Sequence, residues 1–328
     1  MTSPRVFVSG AAGFIGYHVC RTLLADGWEV VGLDSCDGFY DPSVKRRRAV
    51  ELTRLPGCTI LEGDVRDEPV LSAALRDVAA AVHLAARPGV RQSLTAAATY
   101  DAVNVGGTRA VLAGCVRHGI DRVVFASSSS VYGAGATIPF REDRPLGDPT
   151  SPYAATKRVG EASMAQAARA HGLRAAILRL FSIYGPHQRP DLALHRFTAA
   201  LWRGEPIRRF GDGRSARDYT HAGDAARAVS LALAWTGGGA STCQTFNIGA
   251  GRPVRLDWLI STLGRAAGTT PEIRAEPAHA ADLPVTCADR AKAAAVLGWR
   301  PERDLESGIA EFVAWYGETH GHKSRTAA

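Results

Sequence analysis

The sequence predicts an α/β protein with a doubly wound parallel sheet and a smaller C-terminal α/β lobe. Strand-like and helix-like stretches alternate along residues 5–180, and no repeat or low-complexity linker interrupts them. A glycine-rich turn separates the first strand from the first helix, and prolines break the alternation after residue 181. Such alternation is typical of a parallel sheet with helices on both faces. We therefore expect the sheet before residue 181 and the lobe after it.

The first thirty-four residues have the pattern of a dinucleotide-binding unit, with a strand at 5–9, a helix at 14–24 and a strand at 29–33. Gly10, Gly13 and Gly16 occupy the turn and the start of the helix, and Phe14 and Ile15 lie between the last two. These glycines permit a tight turn, close approach of backbone N–H groups to a pyrophosphate, and close helix–strand packing. The helix N-terminus adds partial positive charge. The unit predicts a Rossmann-type domain.

Asp34 ends the second predicted strand. A carboxylate at this point can accept hydrogen bonds from the adenosine ribose of a dinucleotide. It would repel the 2′-phosphate of NADP, and the neighbouring Ser35 offers no cation to receive that group. The sequence therefore predicts NAD as the cofactor.

The remaining elements complete the predicted sheet. They are a strand at 59–65, a helix at 69–77, a strand at 80–86, a helix at about 94–118, a strand at 122–126, a helix at 152–171 and a strand at 174–180. A helix near 222–235 and a strand at 245–248 are expected to rejoin it. We thus expect an NAD-binding Rossmann domain at 1–181, rejoined by 218–249, and a substrate-binding lobe at 182–328, built mainly from 182–217 and 250–318.

Chemically useful residues occur where the predicted strands end. These residues are Gly10, Asp34, Asp64, Ala85 and Ser128. Ligands of parallel sheets bind beyond the carboxyl ends of the strands. Because the ends of neighbouring strands meet at one edge, the five positions predict a single site.

Tyr153 and Lys157 are four residues apart in the predicted helix at 152–171, so they share one helical face. Ser151 suits the N-cap and Pro152 the first helical position. Free tyrosine has a pKa near ~10 and is a poor base at neutral pH. A nearby ammonium and a cationic nicotinamide both favour the phenolate, and lowering the pKa by about three units needs about 4 kcal/mol. The pair therefore predicts acid–base chemistry.

Together these motifs resemble the extended short-chain dehydrogenase/reductases that act on nucleotide sugars, and within that group the UDP-glucuronate 4-epimerases. The resemblance covers about residues 4–316. Its most specific motifs are Val82-His83-Leu84-Ala85-Ala86, Ala126-Ser127-Ser128-Ser129-Ser130-Val131-Tyr132-Gly133, Tyr153-Ala154-Ala155-Thr156-Lys157, Tyr184-Gly185-Pro186 with Arg189-Pro190-Asp191, and Arg217-Asp218-Tyr219-Thr220. The resemblance implies NAD-dependent 4-epimerisation of UDP-glucuronate to UDP-galacturonate through a 4-keto sugar.

The resemblance also implies roles for single residues. Tyr153 is expected to take the proton of the sugar 4-hydroxyl, Ser128 to hydrogen-bond that oxygen, and Lys157 to tune the tyrosine and hold the nicotinamide ribose. Arg189 and Arg217 are expected to hold the nucleotide and its diphosphate. Further cofactor contacts are expected from Asp64, Val65, Leu84, Ala85, Ala86 and Asn104. A homodimer joined through the helices at 94–118 and 152–171 is expected as well.

Three serines favour a uronate as the sugar. Sugar-nucleotide 4,6-dehydratases carry an Asp-Glu pair, and UDP-glucuronate decarboxylases a glutamate, where this chain has Ser129 and Ser130. Galactose-type epimerases tend to have asparagine at the position of Ser182. Hydroxyls of Ser128, Ser129 and Ser182 are small enough to admit a carboxylate and can donate to it. Arg87 and His187-Gln188 replace an expected glutamine and an expected tryptophan-glycine pair, which leaves the exact sugar open.

Three alternatives stay open at this point. The first is a UDP-glucose 4-epimerase and the second a UDP-glucuronate decarboxylase. The third belongs to another class, a non-catalytic regulator that senses NAD. Regulators on this fold typically lose the tyrosine or the lysine, whereas Tyr153 and Lys157 are both present.

Bulk composition limits the other classes of function. The formal net charge is +7, and the densest basic run is Lys45-Arg46-Arg47-Arg48. We interpret it as a solvated loop and expect no nucleic-acid partner, because the run has no aromatic stacking partner beyond Tyr40. The six cysteines include no C-x-x-C pair, so no disulfide framework and no metal site are expected. Without a membrane-length apolar run or room for a signal peptide, a cytoplasmic protein is expected.

Overall fold

The structure of the protein, a computed structural model, describes residues 3–239, 243–278 and 283–321. The strands of these ranges are β1 Arg5–Ser9, β2 Glu29–Asp34, β3 Cys58–Glu62, β4 Ala80–His83, β5 Arg122–Ser128, β6 Arg174–Leu180, β7 Ser182–Tyr184, β8 Ile207–Phe210, β9 Ala216–His221, β10 Cys243–Ile248, β11 Pro253–Arg255 and β12 Ile273–Glu276. The helices are α1 Phe14–Ala25, α2 Pro42–Thr53, α3 Glu68–Ala74, α4 Val90–Ser93, α5 Ala97–Tyr100, α6 Gly107–Arg117, α7 Pro152–His171, α8 Ala193–Arg203, α9 Ala222–Thr236, α10 Leu256–Ala267, α11 Ala291–Leu297 and α12 Leu305–His320. A π-helical turn, Asp101–Gly106, joins α5 to α6, and a 3₁₀ turn, Ser129–Tyr132, follows β5.

A parallel sheet forms the centre of the molecule. Its strand order in the described residues is β10-β6-β5-β4-β1-β2-β3. Alternate residues of β1 pack on opposite faces: Val6 and Val8 join one buried cluster and Phe7 the other. The strand order reverses between the neighbours β1 and β4, and this is the point where such sheets open a ligand-binding crevice. The predicted Rossmann-type fold class is confirmed.

The strand at the β6 edge comes from a distant part of the chain. β10 runs parallel to β6, with Thr245 opposite Ile177. The helix before it, α9, packs on the sheet and is rich in buried alanines such as Ala225 and Ala228. Small side chains allow helix and sheet to approach closely. As a result, residues on both sides of the lobe's first segment contribute to one sheet.

Within the described ranges, two small sheets and three helices form the core of the lobe. The sheets have the orders β11-β9-β7 and β12-β8, and the helices are α8, α10 and α12. Leu259, Ile260, Leu263 and Phe312 are fully buried between the helices. Because β7 begins two residues after β6 ends, the lobe starts directly at the carboxyl edge of the main sheet.

Several predicted element bounds are wrong. The strand expected to reach residue 65 ends at Glu62, because the Asp64 carboxylate accepts from the backbone N–H of Arg66 and turns the chain. The strand expected at 80–86 ends at His83. The stretch expected as one helix at 94–118 contains the π-helical turn, and the basic run expected in a solvated loop lies in α2.

The cysteines form no disulfide, and Cys20 and Cys115 are fully buried as small apolar side chains. The longest helix, α7, carries charged residues along its length. Within the described ranges, no helix combines the length and the apolar character that crossing a bilayer requires.

A cluster of histidines joins α1 to the lobe. The ring of His187 lies 4.2 Å from that of Tyr17 and 5.3 Å from that of Trp315 (centroid distances), and His195 packs 5.1 Å from Tyr316. Burial lowers the pKa of His18 and His195 to about 4 and that of His187 to about 3. The folded protein therefore holds these imidazoles neutral.

Acidification is expected to destabilise the fold through this cluster. In the unfolded chain a histidine takes up its proton near pH 6.5, whereas the folded cluster does so only near pH 3–4. The contribution of these histidines to the free energy of unfolding is therefore fully present above about pH 7. It is lost as the pH falls from about 6.5 towards 4, by about 1–2 kcal/mol per histidine at pH 5. Thermal unfolding between pH 5 and 7.5 measures this slope. His195→Leu should reduce it and the matched variant of the exposed His171, His171→Leu, should not; equal slopes in both would contradict the assignment.

Candidate active site

A cavity of about 610 Å³ lies at the carboxyl edge of the main sheet and extends under the lobe. Its volume is within the range of small-molecule sites. The walls contain most of the predicted residues, namely Gly10, Gly13, Phe14, Ile15, Gly16, Asp34, Asp64, Val65, Leu84, Ala85, Ala86, Ser128, Tyr153, Lys157, Ser182, Arg189 and Arg217. Asn104 and Ser129 are not among the lining residues. The predicted strand ends therefore do converge.

The glycine turn has the geometry that a dinucleotide requires. Gly10 has a φ of 71°, and a Cβ there would lie 2.9 Å from the backbone nitrogen of Ala85. A Cβ on Gly16 would lie 2.0 Å from the carbonyl oxygen of Gly10. The first turn of α1, which faces the cavity, contains no acidic residue. The turn and the helix dipole are therefore suited to an anion such as a pyrophosphate.

Asp34 both supports this turn and faces the cavity. Its carboxylate accepts from the backbone N–H of Ala12 at 3.1 Å and from that of Cys36 at 2.9 Å. Burial raises the pKa of Asp34, and the charge of Lys45 opposes this. Two backbone hydrogen bonds leave acceptor capacity for the hydroxyls of a ribose. The residues present thus fit NAD.

Replacing Asp34 with asparagine should weaken the preference for NAD over NADP by at least tenfold. The amide can still accept hydrogen bonds, but it no longer repels a 2′-phosphate. Equilibrium titration of both dinucleotides into the wild type and Asp34→Asn measures the change. Asp41→Asn, at the exposed N-cap of α2, is the control. A wild-type preference for NADP would contradict the role of Asp34.

His83, in the motif Val82-His83-Leu84-Ala85-Ala86, has a structural role. Ser9 Oγ and His83 Nδ1 are 2.7 Å apart, and Ser9 Oγ accepts from the backbone N–H groups of Leu84 and Ala85. Burial lowers the pKa of His83 to about 3, so the imidazole is neutral. The arrangement holds the end of β4 against β1, which places Leu84 and Ala85 beside the glycine turn.

Asn104 does not line the cavity but supports Arg87, which does. Its side chain accepts from the backbone N–H of Arg87 at 2.7 Å and donates to the Arg87 carbonyl and to Thr156 Oγ1. The π-helical turn, a feature frequent at functional sites, presents this side chain. Asn104 therefore links the segment after β4 to α7, and a direct cofactor contact stays a prediction.

Tyr153, Ser128 and Lys157 meet at the end of β5. The Ser151 hydroxyl caps α7, with Pro152 at its first position. Burial raises the pKa of Tyr153, while a hydrogen bond with Ser128 and the charge of Arg189 act to lower it. The Lys157 ammonium donates to the carbonyl of Ala126 at 2.7 Å, and burial lowers its pKa to about 8.

Arg189 is thus the cation whose charge acts on the pKa of Tyr153. Its Nε and Nη2 donate to the carboxylate of Asp191, each at 2.9 Å. Nη1 makes no hydrogen bond within the described ranges, and the side chain is 18% exposed. The charges of Arg189 and Tyr153 affect each other's pKa. Arg189 therefore lines the cavity, as Tyr153 does, with one guanidinium nitrogen available to a ligand.

Arg217 faces the other part of the cavity, on β9 of the lobe. Its guanidinium donates to the backbone carbonyl of Ala216 and lines the wall. The next residue, Asp218, is fully buried and accepts from the backbone N–H groups of Ala250 and Ala288. The aspartate of the Arg217-Asp218 motif thus fixes the strand, and the arginine is left for a ligand.

Arg87 lies at the mouth of the cavity. Its Nη1 is 3.1 Å from the Asp37 carboxylate, which also pairs with Lys45. The guanidinium lies 5.4 Å from the ring centroid of Phe39, and that of Arg189 lies 5.8 Å from the same ring. Arg87 therefore ties the segment after β4 to the segment after β2.

Sequence reasoning missed several lining residues. They are Phe39, Tyr40, Lys45, Arg196, Arg208 and Phe210. A signal existed for Lys45, because Lys45, Arg48 and Leu52 recur at helical spacing and are the buried residues of α2. The lobe residues lacked such a signal, since irregular chain brings them to the site.

A Rossmann-type sheet, a dinucleotide turn and a Ser–Tyr–Lys group define an NAD-dependent enzyme of the dehydrogenase/reductase type. A sequence profile described as the NAD dependent epimerase/dehydratase family matches residues 6–249. The chain belongs to this family. The predicted resemblance, the cofactor NAD and an enzyme of epimerase type are thereby confirmed.

Individual relatives support the same assignment. The chain is 36% identical to a UDP-glucuronate 4-epimerase of Thermodesulfobacterium geofontis, over 95% of each chain. Its structure is similar to that of the Bacillus cereus UDP-glucuronic acid 4-epimerase in complex with UDP-glucuronic acid and NAD, with a TM-score of 0.91, 30% identity, and coverage of 96% of this chain and 100% of that one. A dTDP-glucose 4,6-dehydratase from Streptomyces venezuelae is similar too, with a TM-score of 0.88, 32% identity, and coverage of 97% and 98%. Overall structural similarity therefore does not distinguish an epimerase from a dehydratase. The distinction must come from the residues of the site.

Proposed function

We propose that this protein is an NAD-dependent 4-epimerase that interconverts UDP-glucuronate and UDP-galacturonate. The observation that carries the proposal is the group Ser128, Tyr153 and Arg189 around one end of the cavity. The positions where dehydratases and decarboxylases carry a glutamate hold Ser129 and Ser130. Positions 129 and 130 thus supply no carboxylate for elimination at C5, whereas Tyr153 supplies a base and Arg189 a cation.

The chain's own residues form the cofactor cradle. The turn from Gly10 to Gly16 would receive the pyrophosphate, Asp34 the adenosine ribose, and Asp64 with Val65 the adenine. Lys157 would hold the nicotinamide ribose and Asn104 would steady the wall. NAD, when bound, supplies the hydride acceptor and donor that converts the sugar C4 to a ketone and back.

Tyr153 is the proposed general base for the 4-hydroxyl. Ser128 Oγ accepts from the N–H and the hydroxyl of Ser130, at 3.2 and 3.0 Å. The proton of Ser128 is therefore available to another acceptor, and the polar interaction between Ser128 and Tyr153 acts to lower the pKa of the tyrosine. A serine so placed orients the 4-oxygen and stabilises the phenolate.

The uronate carboxylate is assigned to the same end of the cavity. The free Nη1 of Arg189 supplies the positive charge and the Ser182 hydroxyl a neutral donor, since the single proton of Ser128 serves Tyr153 and the 4-oxygen. Ser129 begins the 3₁₀ turn that follows β5. This places Arg189 at the sugar rather than at the diphosphate, which the resemblance had implied. Arg217 remains the proposed diphosphate ligand, and Arg196 and Arg208 add charge at that end.

Product analysis tests the proposal. The purified protein is incubated separately with UDP-glucuronate, UDP-glucose and UDP-xylose, and the products are identified by NMR. We expect UDP-galacturonate from the first and at least a hundredfold slower turnover of the others. A UDP-pentose product would indicate a decarboxylase, and preferred turnover of UDP-glucose a hexose epimerase. Bound NAD without turnover of any sugar would indicate a regulator.

Ser182→Ala should impair UDP-glucuronate more than UDP-glucose. Oxidation at C4 makes a β-keto acid, which readily loses CO₂, so the carboxylate must be held in an orientation unfavourable for that loss. One hydrogen bond to a charged group contributes about 1.5–3 kcal/mol, which predicts a ten- to hundredfold fall with the uronate and a larger fraction of 4-keto-pentose. Mass spectrometry of the products measures both. Equal losses on both substrates without pentose would make Ser182 a packing residue.

Assembly and location follow as further proposals. Val116 on α6 and Val159 on α7 are 37% and 39% exposed, which supports a homodimer through these helices. Light scattering of the purified protein tests this.

We propose a cytoplasmic location and no nucleic-acid partner. We also propose that residues 1–181 with 218–249 bind NAD and that residues 182–217 with 250–318 bind the sugar nucleotide.

A further inference from the structure

The basic run in α2 contains both exposed and buried side chains. Arg46 and Arg47 are exposed, whereas Arg48 is only 3% exposed. Arg48 has no carboxylate partner within the described ranges. Its guanidinium donates instead to neutral acceptors, the carbonyls of Ala12 and His187 and the Tyr40 hydroxyl. A buried arginine with these contacts is too costly to be incidental.

The acceptors of Arg48 belong to the two halves of the site. Ala12 is part of the glycine turn, and Tyr40 lines the cavity. His187 belongs to the segment that leads from β7 to Arg189. Arg48 thus bridges the cofactor turn and the start of the substrate segment with one side chain.

The bridged segment, residues 185–188, is held by two consecutive carbonyls. His18 Nε2 is 2.8 Å from the carbonyl oxygen of Pro186, and Arg48 Nη2 donates to that of His187. His187 has a φ of 63°, a conformation that costs energy for a residue with a side chain. The hydrogen bonds from α1 and α2 help to maintain it, beside the turn's own bond from the Gln188 N–H to the Gly185 carbonyl. Arg189 follows two residues later.

We propose that Arg48 is a positioning residue that fixes the segment 185–188, and through it Arg189, relative to the cofactor turn. Arg48 is not among the residues that line the cavity, so we expect no direct contact with the substrate. It acts by restricting where the Arg189 guanidinium lies beside Tyr153. The consequence for the sugar rests on the proposed function; the consequence for the segment does not.

Three variants test the proposal. Arg48→Gln removes the bridge, Arg48→Lys keeps the charge but loses the fork that reaches several acceptors, and Arg47→Gln is the control on the exposed side of the same helix. Hydrogen–deuterium exchange of peptides covering 184–192 is compared with that of β1 in the full chain with NAD. Binding of UDP-glucuronate and of UDP is measured by calorimetry, and thermal unfolding is recorded for each variant.

Arg48→Gln should exchange at least tenfold faster in 184–192 with no change in β1. It should bind UDP-glucuronate at least tenfold more weakly and UDP within twofold of the wild type, since UDP lacks the sugar that Arg189 faces. Arg48→Lys should be intermediate and Arg47→Gln unchanged. Unaltered exchange in 184–192, or equal loss of both ligands, would overturn the proposal. If Arg48→Gln fails to fold, Arg48→Lys carries the same test. A wild type without epimerase activity would refute the proposed function and leave the exchange result decisive for Arg48.

Discussion

Tyr153→Phe is expected to lower kcat by about 10²–10⁴ while NAD stays bound, because loss of a general base typically has this effect. The phenyl ring keeps the packing, including the edge contact with Tyr100 at a centroid distance of 6.3 Å. Only the hydroxyl that faces Ser128 and Arg189 is lost. Turnover of UDP-glucuronate by NMR and NAD content by absorbance after denaturation measure the two quantities.

Tyr132→Phe is the matched control for Tyr153→Phe. The Tyr132 hydroxyl donates to Asn247 Oδ1 at 2.7 Å, neither of these two residues lines the cavity, and the Tyr132 ring stacks on Phe140. Its removal should lower the unfolding temperature but leave kcat within about threefold, since a buried hydrogen bond contributes about 1 kcal/mol to stability. Retention of more than about a tenth of the wild-type rate by Tyr153→Phe would refute the role of the tyrosine.

Arg189→Gln is expected to reduce kcat/KM for UDP-glucuronate by about 10²–10³. Leaving a mostly buried carboxylate without its cation costs about 3–5 kcal/mol. Asp191, which Arg189 pairs with, would then stand near the substrate as a second negative charge. UDP-glucose carries no carboxylate, so its turnover should fall less than tenfold.

Arg217→Gln provides the comparison for Arg189→Gln. A diphosphate ligand serves both sugars, so this variant should weaken UDP-glucuronate and UDP-glucose equally. The ratio of the two kcat/KM values in each variant is the measurement. An unchanged ratio in Arg189→Gln would return Arg189 to the diphosphate and remove the charge argument for a uronate.

The fold and much of the cofactor site were predictable because local chain features determine them. β1, β6 and α7 have the bounds that their sequence patterns predict. The cap at Ser151, the proline after it and the spacing of Tyr153 and Lys157 are signals within one helix. The carboxyl ends of parallel strands lie at one edge of the sheet, independently of the conformation of the loops. The predicted glycines and Asp34 therefore lie in one cavity.

The remainder depends on contacts between distant parts of the chain. No local pattern shows that Arg189 faces Tyr153, because the segment after β7 is irregular and held by α1 and α2. The solvated loop expected for the basic run is wrong, because the run lies in α2, where Lys45 and Arg48 are buried against other parts of the chain. Asn104 bonds to Arg87 and Thr156, a link that no local sequence pattern indicates, and its expected contact with the cofactor stays a prediction.

The position of β10 at the edge of the main sheet has a consequence for synthesis. When residues 1–181 have emerged from the ribosome, β6 is an unprotected edge with the largely apolar sequence Arg-Ala-Ala-Ile-Leu-Arg-Leu. Its partner strand is complete only at residue 248, which at about 5–20 residues per second leaves this edge open for several seconds. Open apolar edges pair with other chains. A fragment that stops at residue 181 is therefore expected to aggregate, and the cofactor-binding half matures only after the first segment of the lobe, residues 182–217, has already been made.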